Sequence, residues 1–188
     1  MTRCQPHTHP IVFMFLILPF GVMGGYVSVA LAYLFSKAGI PVERVAALVA
    51  VGIIPHTWKF LWAPLVDSFL TRRGWYLIAG LLSAIGILAT GVMPIVPSSL
   101  VPLTAIILLS NFAVTFLGMA TDSLMAYGTP PELKGRAGEW FQAGNLGGAG
   151  LGGGAGLWLA QRLPAPWMAG AILAGACLLC CFALFFVP

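Results

Sequence analysis

Charge is what this sequence has least of. Asp, Glu, Lys and Arg make up 7% of its 188 residues and hydrophobic residues 60%, whereas roughly a quarter of an ordinary soluble domain is charged. A surface with so few charges cannot face water, which excludes a soluble globular fold. Long polar stretches are equally scarce, so residues 1–188 read as one transmembrane domain with no room for a water-facing one. Catalytic signatures are missing too. There is no H-E-x-x-H, no G-x-S-x-G and no pair of acids at a hydrolytic spacing, so the chain does not read as an enzyme. The net charge of +4 and pI near 9.1 would suit nucleic acid only if the basic residues clustered on one face. They are scattered between apolar runs, and we read them as a topology signal.

Metal ligands are few. Cys177, Cys180 and Cys181 form a C-x-x-C-C string inside the last apolar run, and a thiolate site is the weaker reading of it. No His or carboxylate lies nearby in sequence, and small, inert cysteines pack well in a lipid-facing helix. Cys4, His7 and His9 form a second weak cluster near the N-terminus. Neither metal nor cofactor is expected.

Apolar runs are what the sequence does have. A membrane-spanning helix needs about 20 mainly apolar residues, and six such runs are expected over residues 11–36, 42–66, 75–96, 100–127, 137–161 and 166–187. Gly and Pro between Lys37 and Arg44, charge from Asp67 to Gly74, Pro and Ser from Pro94 to Pro102, the polar stretch Thr129 to Glu139 and two prolines from Gln161 to Pro166 mark the breaks. Arg3 followed by an apolar run could open a signal peptide. The run from Ile11 to about Phe35 is longer than the usual 7–15 residues of such a leader, so it reads as a retained helix.

With the N-terminus inside, Arg3, Arg72, Arg73, Lys134 and Arg136 fall on the inner side and Lys37, Arg44 and Arg162 on the outer. The excess of inner basic residues predicts that both termini are cytoplasmic.

Ionisable groups at membrane depth are costly and are candidates for function by default. Lys59 is the clearest, read as about 10 Å inside the cytoplasmic end of the second run at about 1.5 Å per residue, with His56 on the same helical face. A Lys stem that snorkels to the interface is the competing reading. In the fourth run Asn111, Thr115, Gly118 and Asp122 share one face, either a polar cavity wall or a set of helix-to-helix hydrogen bonds. Asp122 suits the cavity better, since a carboxylate needs water, a proton or a cation. Gln142 and Asn145 open the fifth run and are expected to face the same interior. The glycines that follow, Gly147 to Gly156, lack the G-K-[ST] of a phosphate loop and instead predict close helix packing. The first run carries Tyr26 and Tyr33, seven residues apart. The third and sixth runs are nearly free of polar side chains and read as outer helices.

The stretch Lys59-Phe60-Leu61-Trp62-Ala63-Pro64-Leu65-Val66-Asp67, followed by Arg72-Arg73-Gly74-Trp75, closely resembles the segment after the second helix in the muropeptide permease (AmpG-like) and acetyl-CoA transporter branch of the major facilitator superfamily. Pro130-Pro131-Glu132-Leu133-Lys134-Gly135-Arg136-Ala137 is similar to that superfamily's loop between helices four and five. Ala120-Thr121-Asp122 through Tyr127 is similar to the branch's fourth helix, with one acid where two are usual. The resemblance implies an all-α fold of six transmembrane helices, half of a twelve-helix transporter and built as an inverted 3+3 repeat. It implies a cavity lined by the first and fourth helices, gates formed by the second and fifth, and Asp67, Arg72 and Arg73 at a cytoplasmic gate.

The function expected is secondary active transport of a small or conjugated solute by alternating access in a bacterial inner membrane, as a half or fragment of a twelve-helix transporter, and the resemblance implies a bulky anionic conjugate. Lys59 and His56 would attract the solute. Asn111, Thr115, Gln142, Asn145 and Tyr26 would line its path. Asp122 would carry a coupling proton. A second six-helix half, or another copy of the chain, would complete the cavity. The alternative is a transport-incompetent membrane module that acts in assembly or regulation through its glycine-rich fifth helix.

Overall fold

The computed structural model describes residues 8–68 and 70–187, without the side chains of Leu65, Asp67 and Ser68. Among these residues the chain is helical throughout and has no strand. The first helix runs Val12–Lys37, the second Val42–Leu61, the third Arg72–Val92, the fourth Pro97–Gly128 and the sixth Pro166–Phe186, and these five are long and apolar enough to cross a membrane. The fifth is α-helical over Lys134–Gly150, passes through a π turn at Leu151–Ala155 and continues over Gly156–Arg162. It is long enough to cross but less apolar. Glycine adds almost nothing to hydropathy, and Gln142, Asn145 and a charged first turn subtract from it.

The helix ends follow from local chemistry. After the first helix Gly39 takes φ +78°, while Ile40 N–H donates to Phe35 O at 3.1 Å and Gly39 N–H to Ser36 O at 3.1 Å. This left-handed glycine closes the last turn, and the buried Ile40 seals it. The third helix begins three residues earlier than expected because Thr71 caps it, its hydroxyl accepting from Gly74 N–H at 3.1 Å. It ends at Val92 because Met93 is extended before Pro94.

The second helix departs most from expectation. Hydropathy predicts a continuous run to residue 66, but the α-helix stops at Thr57, Lys59–Leu61 is a 3-10 turn, and a short helix, Ala63–Ser68, follows. Two prolines account for this. Pro55 removes a backbone donor within the helix, and Pro64 cannot donate back across the break. Lys59 is therefore two residues from the end of the span rather than about two turns inside it.

The first and fifth helices meet along a glycine seam. A Cβ at Gly21 or Gly25 would strike the backbone of Asn145 or Ala149, and one at Gly144, Gly148 or Gly152 would strike the backbone of Met14, Leu18 or Val22. Gly144, Gly148, Gly152 and Gly156 recur every four residues, so they form one stripe that lets two backbones touch. The π turns Tyr26–Leu31 and Leu151–Ala155 pack against each other within this seam. The third helix packs on the fourth and the sixth, and the second packs on the fourth. Two apolar clusters result. One contains Tyr26, Leu31, Phe35, Leu48 and Ile107, the other Phe13, Leu16, Tyr76, Leu117 and Ala137, and Phe20 packs against both.

Candidate solute site

The polar side chains of the second and fourth helices meet near Phe20. Gly52 allows the approach, since a Cβ there would lie 3.3 Å from both Asn111 Nδ2 and Ile107 Cγ2. One turn on, His56 Nε2 lies 3.2 Å from Asn111 Oδ1. Asn111 is buried and its Nδ2 donates to the Ile107 carbonyl at 2.9 Å. Its Oδ1 is therefore the acceptor, and His56 donates through Nε2–H. The Phe20 ring stands edge-on to the imidazole, 5.2 Å between centroids, and also lies against Gly118. The pair is thus held from three helices: a hydrogen bond on one side, an aromatic edge on the other.

Lys59 is exposed, and its charge acts on both His56 and Asp122. Asp122 is half-buried near the end of the fourth helix. Lys59 thus lies within electrostatic reach of His56 and Asp122, and Asn111 joins this set through its hydrogen bond to His56. The set combines an open cation, a half-exposed acid and a buried amide, and such a set can attract and orient an anion.

The other expected residues sit elsewhere. Thr115 is buried and donates to the Phe112 carbonyl at 2.7 Å, so its hydroxyl is already satisfied. Tyr26 is buried and its hydroxyl reaches the Thr90 side chain, close to Gly170. It fastens the first helix to the third and sixth, away from the His56–Asn111 pair. Gln142 is exposed and Asn145 half-exposed, on the helix that packs against the opposite flank of the first. At the end of the bundle that holds the 128–134 loop, the Arg72 guanidinium lies 4.0 Å from the centre of the Tyr127 ring and Arg73 Nη2 donates to the Val187 carbonyl. These contacts tie the start of the third helix to the ends of the fourth and sixth. The Asp67 side chain lies outside the described residues, as do Cys4 and His7. Among the described residues no three His, Cys, Asp or Glu side chains group to hold a metal.

Gly52 and Phe20 are the two residues that sequence reasoning missed. Gly52 stands four before His56, on the same face, and that spacing is a legible signal. Phe20 gave none, because one aromatic among many apolar residues in the first helix is indistinguishable from core.

An all-helical bundle with five apolar candidate spans and a part-buried polar pair between two of them has the architecture of a membrane protein. The sequence profile of the BT1 family matches residues 21–134, more than half of the chain. The chain belongs to the BT1 family, within the major facilitator superfamily. The matched stretch contains His56, Lys59, Asn111 and Asp122 and stops before Gln142 and Asn145. No curated protein matches the chain.

Proposed function

We propose that this chain forms one six-helix half of a secondary transporter, of the AmpG-like and acetyl-CoA transporter branch, and moves a bulky anionic conjugate by alternating access. The observation that carries the reading is the His56–Asn111 hydrogen bond, set between two spans of a family-matched chain with the open Lys59 charge beside it. An ionisable side chain such as His56 within a span is a candidate for function by default.

The helix pairing supports the half-transporter reading. Exchanging helices one, two and three for four, five and six converts the first–fifth pairing into the fourth–second, and the third–fourth into the sixth–first, while first–fourth and third–sixth map onto themselves; all of these pairings occur. That is the pattern an inverted 3+3 repeat would leave. It requires the fifth helix to be a sixth span, and packing along the first helix supports this despite its lower hydropathy. The basic residues favour cytoplasmic termini in a bacterial inner membrane. In this reading Lys59 draws in the anion, Asn111 and His56 orient it, Asp122 carries a coupling proton, a second half or second copy closes the cavity, and no bond of the solute is made or broken. Arg72 and Arg73 hold the cytoplasmic gate together with Asp67.

Purified chain in liposomes, with and without an imposed pH gradient, tests the proposal through uptake of a labelled anionic sugar-peptide. Uptake that Asp122→Asn abolishes and Lys59→Ala lowers is the expected result. Unchanged uptake in both variants would overturn the site.

A second reading rests on the fifth helix. A Cβ added at Gly147, Gly150 or Gly154 would meet nothing within 4 Å, so a small-residue face remains uncovered opposite the seam. A module that binds a partner helix there, with assembly or regulation as its role, would give no uptake and a defined complex in detergent.

A further inference from the structure

Toward the start of the fourth helix from Asn111, a groove of about 500 Å³ lies between the second and fourth helices, walled by Ala47, Val51, Leu100, Ala105 and Leu108, with Arg44 at its mouth. We propose that this groove binds one anionic phospholipid, its acyl chain between the helices and its phosphate on Arg44.

The groove has the dimensions of one leaflet. From Arg44 to Val51 it runs about 10 Å along the helix at about 1.5 Å per residue, inside the roughly 15 Å of half a hydrocarbon core. Its polarity is concentrated at one end. Among the described residues Arg44 is the sole charged group lining it, and Glu43 does not line it. The one hydroxyl in the wall, Thr104, donates to the Leu100 carbonyl at 2.7 Å, so it offers no donor to an occupant. A ligand that fits such a wall is apolar along its length and anionic at the interface. The guanidinium fork suits a phosphate better than it suits a neutral headgroup.

Small residues make the space. Ala47 and Ala105 both line the groove, where larger side chains would fill it, and Val101 and Leu108 in its wall are exposed while Leu48 is buried. The groove and the His56–Asn111 bond lie at different levels between the same two helices, so a lipid wedged there bears on the helix pair that the bond joins.

The test uses the whole chain in mixed micelles containing equal phosphatidylglycerol and phosphatidylcholine, with retained lipid counted by native mass spectrometry. One phosphatidylglycerol retained in preference to phosphatidylcholine is expected. Arg44→Gln should lower that preference about fivefold, the factor one basic side chain contributes at an anionic membrane surface. Arg44→Lys should keep part of it. Ala105→Phe should reduce retention of both lipids with helix content unchanged by circular dichroism, and Arg162→Gln, outside the groove at the same end of the bundle, should change nothing. Equal loss from Arg44→Gln and Arg162→Gln would overturn the proposal. So would a lipid-free dimer that Glu43→Gln dissociates, which would make a second copy the occupant.

Discussion

His56 on the second helix and Asn111 on the fourth meet at 3.2 Å, Nε2 to Oδ1, fifty-five residues apart in sequence. Asn111 spends its amide nitrogen on its own helix at Ile107, so its oxygen is presented to the neighbouring helix. Side-chain hydrogen bonds between membrane helices contribute about 0.6 kcal/mol on average and up to about 1.7 kcal/mol. A double-mutant cycle of His56→Ala and Asn111→Ala, read by reversible unfolding in detergent, should give a coupling within that range. Strict additivity would mean that the pair does not form.

The glycine seam makes a sharper stability prediction, because two sets of glycines on one helix face different surroundings. A side chain at Gly148 or Gly152 would drive into the backbone of Leu18 or Val22. Gly148→Ile or Gly152→Ile should therefore cost at least the upper end of the roughly 1–3 kcal/mol seen for overpacked cores, and separate the first and fifth helices. Gly147→Ala and Gly150→Ala meet nothing within 4 Å and should stabilise by about 0.5–1 kcal/mol each, through the entropy that glycine loses in a helix. Thermal unfolding of the four variants checks the contrast. Equal effects at Gly147 and Gly148 would place the seam elsewhere.

The sequence carries the all-helical membrane class and the rough positions of the five apolar candidate spans, because hydropathy and helix-breaking residues act locally. It carries the glycine packing of the fifth helix as well, since small residues every four positions have one use in a helix pair. It misplaces Lys59, whose depth depends on the second helix continuing past Pro55 and Pro64. Two prolines nine residues apart, with Trp58 between them leaving helical geometry, end the span sooner than hydropathy alone implies. Tyr26 misleads for a different reason. A tyrosine can present its hydroxyl to a cavity or to a neighbouring helix, and only tertiary packing reveals that Thr90 is the partner.

Exposure separates Lys59 and Gln142 from the buried Thr115. Lys59 and Gln142 are exposed and Thr115 is 1% exposed. In a background with the native cysteines replaced, Lys59→Cys and Gln142→Cys should react readily with a membrane-impermeant maleimide, while Thr115→Cys reacts only as fast as the bundle opens. Labelling of Thr115→Cys at the rate of Lys59→Cys would put the hydrated path along the buried face of the fourth helix.

Arg72 lies over the Tyr127 ring at 4.0 Å, and Tyr127 is 72% exposed. Cation–π pairs at such exposed sites are worth about 0.5–1 kcal/mol. Tyr127→Phe should retain the contact and Tyr127→Leu lose it, with a coupling to Arg72→Gln of that size in a double-mutant cycle. Equal stability of Tyr127→Phe and Tyr127→Leu would show that the ring face does not hold the arginine.

Lys59 is where the sign of the solute's charge can be read. It is exposed at the end of the second helix, three residues after His56. A hydrogen bond to a charged group contributes about 1.5–3 kcal/mol, which corresponds to roughly 10- to 100-fold in apparent affinity. Lys59→Gln should raise the KM for an anionic solute by that factor, and Lys59→Arg should restore most of it, because charge rather than shape is the shared property. Lys59→Glu should be worse than Lys59→Gln for an anion, since repulsion replaces a neutral side chain. If Lys59→Glu instead transports as well as Lys59→Gln, the lysine serves the membrane interface and the solute is recognised without it.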